Sequence, residues 1–396
     1  MKVAVLGYGT VGAGVYSMLS DAPGMEAGPV LVRPGKAVES FMVSDAALIF
    51  GDPTVDAVVE TLGGLDPAYS YGMRALEAGK HFITANKAMV AAHGLELAAL
   101  AREKGAAFLF SAACGGGVPF LHNLALSAET DRIEAISGIL NGTTNYMLDA
   151  MQRRGLSYAD ALSEAQALGY AEADPTADVS GLDALRKMQL ACAVAFGVLP
   201  QSGMLCEGME HFTAADVEDI QSRGLVCRLM ARGSRAGESV SAYVEPVLFP
   251  RAAPESSVFT NNNMARYTGK RCGSIVLMGQ GAGRFPTASA VLRDLAAAQQ
   301  GARSMFPENC RAAEADNREA VHSYYIRTGS FAAVRLPLGT GASGAARLPL
   351  RSVLALGEVV RAVTEPMSAE KMHALAQNIR KDGNDLFFAA LEEKLC

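Results

Sequence analysis

The sequence has no block of like charge. Its 35 basic and 41 acidic side chains leave a net −6, spread along 396 residues, so it offers no electrostatic footprint for nucleic acid or an anionic membrane surface. The longest near-continuous apolar run, around Leu190 to Leu199, is too short to span a bilayer. No basic segment precedes an apolar core at the start. Cys114, Cys192, Cys206, Cys227, Cys272, Cys310 and Cys396 are odd in number, scattered, and without a C-x-x-C or a metal-type pairing with histidine. That excludes a disulfide framework and suits free thiols in a reducing compartment. His81, His93, His122, His211, His322 and His373 show no ligand spacing. Internal repeats and low-complexity tracts are also missing. The expectation is a cytoplasmic protein with no nucleic-acid or membrane partner.

What is present is ample apolar material. Half of the residues are hydrophobic and only 19% are charged, enough to bury a sizeable core in two or three domains. From Lys2 to about Ala113, short β-branched runs alternate with longer amphipathic segments, which predicts parallel strands joined by crossover helices. The strands are expected at Val3–Leu6, Val30–Val32, Val55–Leu62, His81–Thr84 and Ala106–Phe110, with helices at Pro67–Ala78 and Lys87–Glu103. Gly79 and Gly105 stand where helices end. After Arg132 the texture changes to a strand (Ile133–Leu140) and helices over Thr143–Arg153, Tyr158–Leu168 and Leu182–Phe196. Ser157 followed by Asp160 marks the start of the second of these. Further β-like runs cover Ser239–Phe249 and Ser274–Gly279, and another helix is expected over 284–300. The fold class is therefore α/β: a Rossmann-type doubly wound parallel sheet, then an α+β domain, then a C-terminal extension.

Gly7, Gly9 and Gly12, with Thr10 and Val11 between the last two, form G-Y-G-T-V-G directly after the first strand and at the start of a helix. The first glycine permits the tight turn, the second lets backbone approach a pyrophosphate, and the third allows close packing of the helix. The helix N-terminus offers unpaired N–H groups to the anion. An NAD-binding chain usually places a carboxylate about 20 residues further on, against the ribose 2′-hydroxyl. Here the second strand runs into Val32-Arg33-Pro34-Gly35-Lys36, with no carboxylate between Leu31 and Val38. Arg33 and Lys36 favour NADP(H) over NAD(H). Thr61, Leu62, Gly63 and Gly64 fall at the carboxyl end of another strand, on the crevice edge where such ligands lie.

Lys87 closes the run Thr84-Ala85-Asn86-Lys87, just after a strand that should end beside the nicotinamide. A second cluster runs from Leu168 to Lys187 and contains Tyr170, Glu172, Asp178, Asp183 and Lys187. Asp183 and Lys187 are four apart at the start of an otherwise apolar helix, so they share a face. Each charge alone reads as a cap or a surface pair. Together with the loop Asn141-Gly142-Thr143-Thr144-Asn145 and a nucleotide site in the same chain, they read as chemistry. Hydride delivered to an aldehyde creates an alkoxide, which needs a proton or a cation at once. A lysine, with an ordinary pKa near ~10.4, supplies both at neutral pH, whereas the reverse oxidation needs the neutral amine. Acidic neighbours such as Asp183 keep it charged.

The segments GYGTVGAGV, TANKAMVAAHG, ACGGGVPF, NGTTNYML, LGYAEADPTADVSGLDALRK and GQGAGRFPTASAV, in this order over about residues 1 to 300, resemble the homoserine dehydrogenases. The resemblance implies NAD(P)-dependent interconversion of L-aspartate 4-semialdehyde and L-homoserine, on the route to threonine, methionine and isoleucine. By motif it implies that Lys187 is the proton donor, with Lys87 as its partner or rival. Glu172, Asp178 and Asp183 then hold the substrate's ammonium and hydroxyl groups, with Thr143, Gly142 and Tyr170 completing the pocket. It further implies that Gly281 and Gly283 return to the cofactor, and that the sheet of the middle domain is a homodimer surface. The implied domains are 1–127 for NAD(P), joined by a returning helix over 284–305; 128–283 for substrate, catalysis and dimerisation; and 306–396 as an extension, read as a divergent ACT-like module.

Two departures stand out. Ser111 occupies a position that is usually acidic in the family, so the family's monovalent cation site, built largely from main-chain carbonyls there, is not assigned, and no metal ligand is named. Tyr324–Arg327 resembles the first strand of the family's regulatory ACT domain, yet Thr328–Leu350 lacks its D-x-P-G-V-L turn. Two other functional readings stand beside the enzyme: a catalytically retired dinucleotide sensor, and a reductase of another small amino-acid aldehyde. A zwitterionic substrate suits a site with both lysines and carboxylates.

Overall fold

The computed structural model describes residues 1–329, 350–356 and 359–392. The first elements are β1 (Lys2–Leu6), α1 (Thr10–Leu19), β2 (Glu26–Leu31), β3 (Met42–Val43), α2 (Ala47–Phe50), β4 (Ala57–Glu60), α3 (Ala68–Glu77) and β5 (His81–Thr84). There follow α4 (Lys87–Lys104), β6 (Phe108–Leu109), α5 (Phe120–Thr130), β7 (Ile133–Ile139), α6 (Gly142–Arg154), α7 (Tyr158–Ala167), α8 (Thr176–Val179) and α9 (Leu182–Phe196). Next come β8 (Val198–Ser202), β9 (Leu205–Cys206), α10 (Ala214–Ser222), β10 (Leu225–Ala236), β11 (Ser239–Pro250), β12 (Asn262–Gly269), β13 (Gly273–Gln280) and α11 (Arg284–Gln299). The last are β14 (Arg311–Glu314), β15 (Val321–His322), β16 (Tyr324–Thr328), β17 (Leu350–Leu356), β18 (Val359–Thr364), β19 (Met367–Ser368), α12 (Ala369–Lys381) and β20 (Leu386–Leu391). No helix of the described residues is long and apolar enough to cross a membrane.

These elements form two compact units: residues 1–136, 189–199 and 263–313, and residues 137–188, 200–262 and 314–396. Residues 128–136, 189–199 and 263–283, expected with the middle segment, cluster in the first unit. The residues beyond 313, expected as an extension, cluster in the second. Contact, rather than sequence position, draws these lines.

In the first unit the strand order is β3-β2-β1-β4-β5-β6, and every pairing is parallel. The order reverses between β1 and β4, which makes the carboxyl ends of these two strands a switch point where ligands bind. Val3 to Leu6 and Ala57 to Val59 are fully buried, as near-continuous apolar runs of a sheet covered on both faces should be. Helix α11 packs on α1: a Cβ on Gly14 would lie 2.9 Å from Arg284 Cγ and 3.2 Å from Ala288 Cβ. Gly105, in the left-handed conformation, closes α4 where the sequence placed a cap.

In the second unit β10 and β11 form a long antiparallel hairpin, in register from Leu225↔Pro250 to Ala236↔Ser239. Strand β9 lies parallel to β11, with Leu205 opposite Tyr243. On the carboxyl half of β11, β20 pairs in parallel, Val247 opposite Ala390, and the sheet continues as β20-β16-β18-β17. Four strands in that order, with α12 crossing from β18 to β20, follow the strand order of a ferredoxin-like β-α-β-β-α-β sheet. The expected first strand Tyr324–Arg327 is β16, while most of Thr328–Leu350 lies outside the described residues. Arg327 on β16 clasps Asp216 of α10 at 3.0 and 3.1 Å, so a buried ion pair ties these strands to α10 within the second unit.

Candidate active site

The end of β1 and the start of α1 form a tight cradle in the first unit. A Cβ on Gly12 would lie 2.7 Å from Thr61 Oγ1 and collide with the Gly7 carbonyl, whereas Gly9 faces open space. The third glycine is therefore a packing requirement and the second leaves room for a ligand. Thr61 donates its hydroxyl to the Leu6 carbonyl at 3.0 Å, which ties the loop after β4 to the turn after β1. No acid sits in the first turn of α1, so its N–H groups and dipole are left to attract an anion.

Beside the cradle lies a cavity of about 1040 Å³ lined by Gly7, Gly9, Arg33, Lys36, Thr61 and Gly63, among others. Arg33-Pro34-Gly35-Lys36 is a turn: the Lys36 N–H donates to the Arg33 carbonyl at 3.0 Å and Gly35 has φ +79°, as a Pro-Gly pair at the centre of a type II turn requires. Both cations flank that turn on the cavity wall. Glu39 also lines the cavity, an acid just past the carboxylate-free stretch from Leu31 to Val38.

Glu60, which no sequence motif marks, is a fully buried carboxylate at the end of β4. One of its oxygens accepts the Leu62 and Gly63 N–H groups at 2.6 and 3.1 Å, and the other accepts the Thr84 hydroxyl at 2.5 Å. Thr84 in turn accepts the Asn86 N–H, and the Asn86 amide donates to the Gly64 carbonyl. One carboxylate thus fixes both the Gly63–Gly64 loop and the Asn86–Lys87 corner, where Asn86 caps α4 through the Met89 N–H. Lys87 is the first residue of that helix and is half-buried.

Gly281 and Gly283 belong to the same unit. A Cβ on Gly116 or Gly281 would run into the Gly281 carbonyl or the Asn263 amide, respectively, so these two loops touch backbone to backbone. Ser111 is buried, its N–H and hydroxyl donating to the two oxygens of Asp294 on α11 at 2.7 and 2.5 Å. The acid at this place is therefore on α11. Burial pushes the Asp294 carboxyl up to about 7, against the pull of the Ser111 hydrogen bonds. Among the described residues no group of three or more His, Cys, Asp or Glu could hold a metal ion.

In the second unit the predicted carboxylates and Lys187 converge. Lys187 Nζ is 2.7 Å from Asp183 Oδ2 and donates to the Leu140 carbonyl at 2.6 Å. Asn141, at the N-cap of α6, donates its amide to Asp178 Oδ1 at 2.7 Å and Asp183 Oδ2 at 2.9 Å, while its carbonyl oxygen accepts the Thr144 N–H. The Thr143 hydroxyl donates to the Tyr170 carbonyl at 2.5 Å and lies 3.2 Å from Asp178 Oδ2. Burial raises the Asp178 carboxyl above the usual range, and the charge of Asp183 adds to this, while hydrogen bonds from Asn141 and Thr143 and the charge of Lys187 oppose it.

The backbone turn is made by local chemistry. Gly142 must be small because a Cβ there would sit 2.8 Å from the Asn261 carbonyl. Asn145, from the same motif, donates to the carbonyls of Val258, Thr260 and Asn262 and so pins the facing loop. Tyr170 is partly exposed, with its ring 5.1 Å from that of Tyr146. Glu172 is exposed, and among the described residues its carbonyl accepts from Gln166 Nε2 at 3.2 Å. It stands outside the Asn141-centred cluster.

Comparison with known proteins gives concordant results. The family model described as "Homoserine dehydrogenase" matches residues 119–296, and that described as "Homoserine dehydrogenase, NAD binding domain" matches residues 7–111. A homoserine dehydrogenase of Corynebacterium glutamicum is 39% identical over 317 residues, covering 75% of this chain and 71% of that protein. One of Synechocystis sp. is 38% identical over 319 residues, covering 74% and 72%. The crystal structure of a homoserine dehydrogenase from Thiobacillus denitrificans superposes with a TM-score of 0.85 at 30% identity, covering 99% of this chain and 98% of that one.

Proposed function

This chain belongs to the homoserine dehydrogenase family, and we propose that Lys187 is the proton donor of its reaction, with Asp183, Asp178 and Asn141 as the group that orients it. The protein is an oxidoreductase of amino-acid biosynthesis with an NAD-binding domain, and the family assignment does not favour a retired sensor or a reductase of another aldehyde. The observation that carries the residue assignment is a largely buried cluster in which the Asn141 amide bridges the Asp178 and Asp183 carboxylates and Asp183 in turn pairs with the Lys187 ammonium.

The bound nicotinamide dinucleotide supplies hydride to the aldehyde carbon of aspartate semialdehyde, or accepts it back from homoserine. The cradle at Gly7, Gly9, Thr10, Val11 and Gly12, with Thr61 and Gly63 beside it, is suited to hold the pyrophosphate end, since Gly9 leaves space and α1 leaves its first N–H groups without an acid. Arg33 and Lys36 on the cavity wall suit a 2′-phosphate, and NADP(H) is the preferred form. Lys187 donates the proton that quenches the alkoxide and takes it back in the oxidation direction. Asp183 holds that ammonium in place through the 2.7 Å pair. Asp178 receives the substrate's ammonium group, Glu172 stands as a further carboxylate toward it from the exposed side of the cluster, and Thr143, Gly142 and Tyr170 close the pocket around it. Lys87 is the alternative donor, and Gly281 and Gly283 complete the nucleotide contacts.

The same proposal includes a homodimer, supported by Val276 and Met278, which stand exposed on β13 as apolar residues that a second copy would cover. Six described cysteines are free thiols, which suits residence in the cytoplasm. We read the four strands β20-β16-β18-β17 with α12 as an ACT-like module. The deciding experiment is a steady-state assay with aspartate semialdehyde, comparing NADPH with NADH, on the wild type and on Lys187→Ala. Turnover with an NADPH preference, lost in the variant, is the expected result. Unchanged turnover in the variant would remove Lys187 from the chemistry.

A further inference from the structure

We propose that Arg380, on α12 of the C-terminal sheet, is a positioning residue for the reaction. It clamps Glu207, and through the segment 205–210 it holds the turn that carries Asp178 and Asp183. The inference rests on the reading of Lys187, Asp178 and Asp183 as the reacting face, and every residue it uses lies in the second unit.

The link can be followed atom by atom. Arg380 presents both terminal nitrogens to the two oxygens of Glu207, at 2.9 and 2.6 Å. The same guanidinium donates to the Leu386 carbonyl at 2.8 Å, which fixes it to the start of β20. Glu207 is 8% exposed, so its charge is compensated inside the protein by this fork-to-fork pair, the geometry in which an arginine–carboxylate interaction is strongest. Removal of the arginine would leave a buried carboxylate without its partner, a costly state that the segment can relieve only by moving.

Movement of that segment cannot remain local. The Glu207 N–H is bonded to the Val244 carbonyl at 2.8 Å and the Met209 N–H to the Val179 carbonyl at 2.9 Å. Between them, a Cβ on Gly208 would strike the Val179 carbonyl and lie 2.6 Å from Ser180 Cα. Cys206 Sγ donates to the Ser180 carbonyl at 3.1 Å, and a Cβ on Gly181 would lie 3.1 Å from that sulfur. Segment 205–210 therefore touches residues 179–181 with no free space. Those three residues, with Leu182, join Asp178 on α8 to Asp183 in the first turn of α9. A shift of Glu207 is transmitted to both carboxylates and so to the Asn141 amide that bridges them.

This gives the C-terminal sheet a function in the reaction that the sequence motifs do not reveal. Any event that displaces α12 would act on the substrate carboxylates through the Arg380–Glu207 pair. The test uses the full-length enzyme with the substitutions Arg380→Ala, Arg380→Lys, Glu207→Gln and, as a control, Lys187→Ala. Arg380→Ala should lower kcat/KM for the amino-acid substrate roughly ten- to a hundred-fold, mainly through KM, with the KM for nucleotide unchanged. Arg380→Lys should recover part of that loss. Glu207→Gln, which keeps the shape of the site, should show the same split between the two KM values. Wild-type kinetics in Arg380→Ala, or a nucleotide KM that rises in step with the substrate KM, would overturn the inference. Should Arg380→Ala fail to fold, Glu207→Gln decides under the same two criteria. Wild-type turnover in Lys187→Ala would instead defeat the reading on which the inference rests, whereas an inactive Lys187→Ala beside a normal Arg380→Ala defeats the inference alone.

Discussion

Lys187 Nζ lies 2.7 Å from Asp183 Oδ2, one helical turn back on α9, and its remaining bonding capacity is partly taken by the Leu140 carbonyl at 2.6 Å. An ammonium held this way is oriented rather than tumbling, which is what a proton donor to a developing alkoxide needs. Lys187→Ala should lower turnover in both directions by about 10²- to 10⁴-fold. Lys187→Arg is the more discriminating variant, because guanidinium retains charge but does not release its proton. It should stay folded and be as inactive as the alanine variant. In the wild type, homoserine oxidation should rise into the alkaline range, where the neutral amine becomes available, while reduction should not. Parallel pH profiles in the two directions would count against a lysine donor.

Asp178 makes a second prediction about pH. Burial and the neighbouring Asp183 charge raise its carboxyl above the usual range, so on acidification it is protonated earlier than an exposed aspartate would be. A neutral acid attracts the substrate's ammonium group less strongly. The KM for homoserine should therefore climb as the pH falls through a window above the ordinary aspartate value, with kcat less affected. Asp178→Asn should raise KM at all pH values and abolish that climb. A variant that retained the same acid limb would show that another group produces it.

Much of both units was legible because the signals are local. The glycine triplet, the Gly105 and Ser157 caps and the Asp183–Lys187 spacing each involve residues within a few positions of one another, and the structure has these features where the pattern placed them. The rest depends on partners that sequence proximity cannot suggest. Glu60 meets Thr84 across 24 positions, Asn145 meets Thr260 across 115, and Arg380 meets Glu207 across 173. Strand β10 escaped notice for a related reason. Arg228 breaks its apolar alternation, yet that side chain is buried, with its guanidinium spread over the carbonyls of Cys227, Glu255 and Ser256. The ends of β8 and the two-residue strands are too short to leave any period at all.

Arg33 supplies the prediction for cofactor choice. It shares a cavity wall with Lys36 on one side of a type II turn, and Glu39 contributes an acid to the same cavity. If the 2′-phosphate of NADP(H) is held by Arg33, removal of the guanidinium costs a charge-assisted hydrogen bond, on the order of 1.5–3 kcal/mol. Arg33→Ala should therefore raise the KM for NADPH by roughly ten- to a hundred-fold and leave that for NADH nearly unchanged. Glu39→Gln should act in the opposite sense, lowering the KM for NADPH by easing repulsion of the phosphate. Equal losses with the two nucleotides in Arg33→Ala would place the arginine outside the phosphate contact.

The Asp294–Ser111 pair predicts how stability follows pH. The carboxyl is fully buried and is pushed up to about 7 from an ordinary 3.8, because burial penalises its charge more than the two Ser111 hydrogen bonds favour it. A carboxyl whose pKa is higher folded than unfolded binds its proton more tightly in the native state. Its contribution is fully present below about 3.8 and is lost as the pH rises toward about 7. Over that window the unfolded chain releases the proton first, so the Asp294 contribution falls with rising pH while other groups follow their own course. Asp294→Asn keeps one acceptor for Ser111 and has nothing to ionise, so its melting temperature should lose this component. The gap between the variant and the wild type should then shift in favour of the variant as the pH is raised from 5 to 8, read by thermal unfolding at matched ionic strength. Ser111→Glu with Asp294 retained should instead destabilise the protein, because two carboxylates in one buried place cannot both be charged without a large penalty. A pH-independent gap between wild type and Asp294→Asn would mean that the carboxyl is not raised and that the Ser111 hydrogen bonds offset the cost of burial.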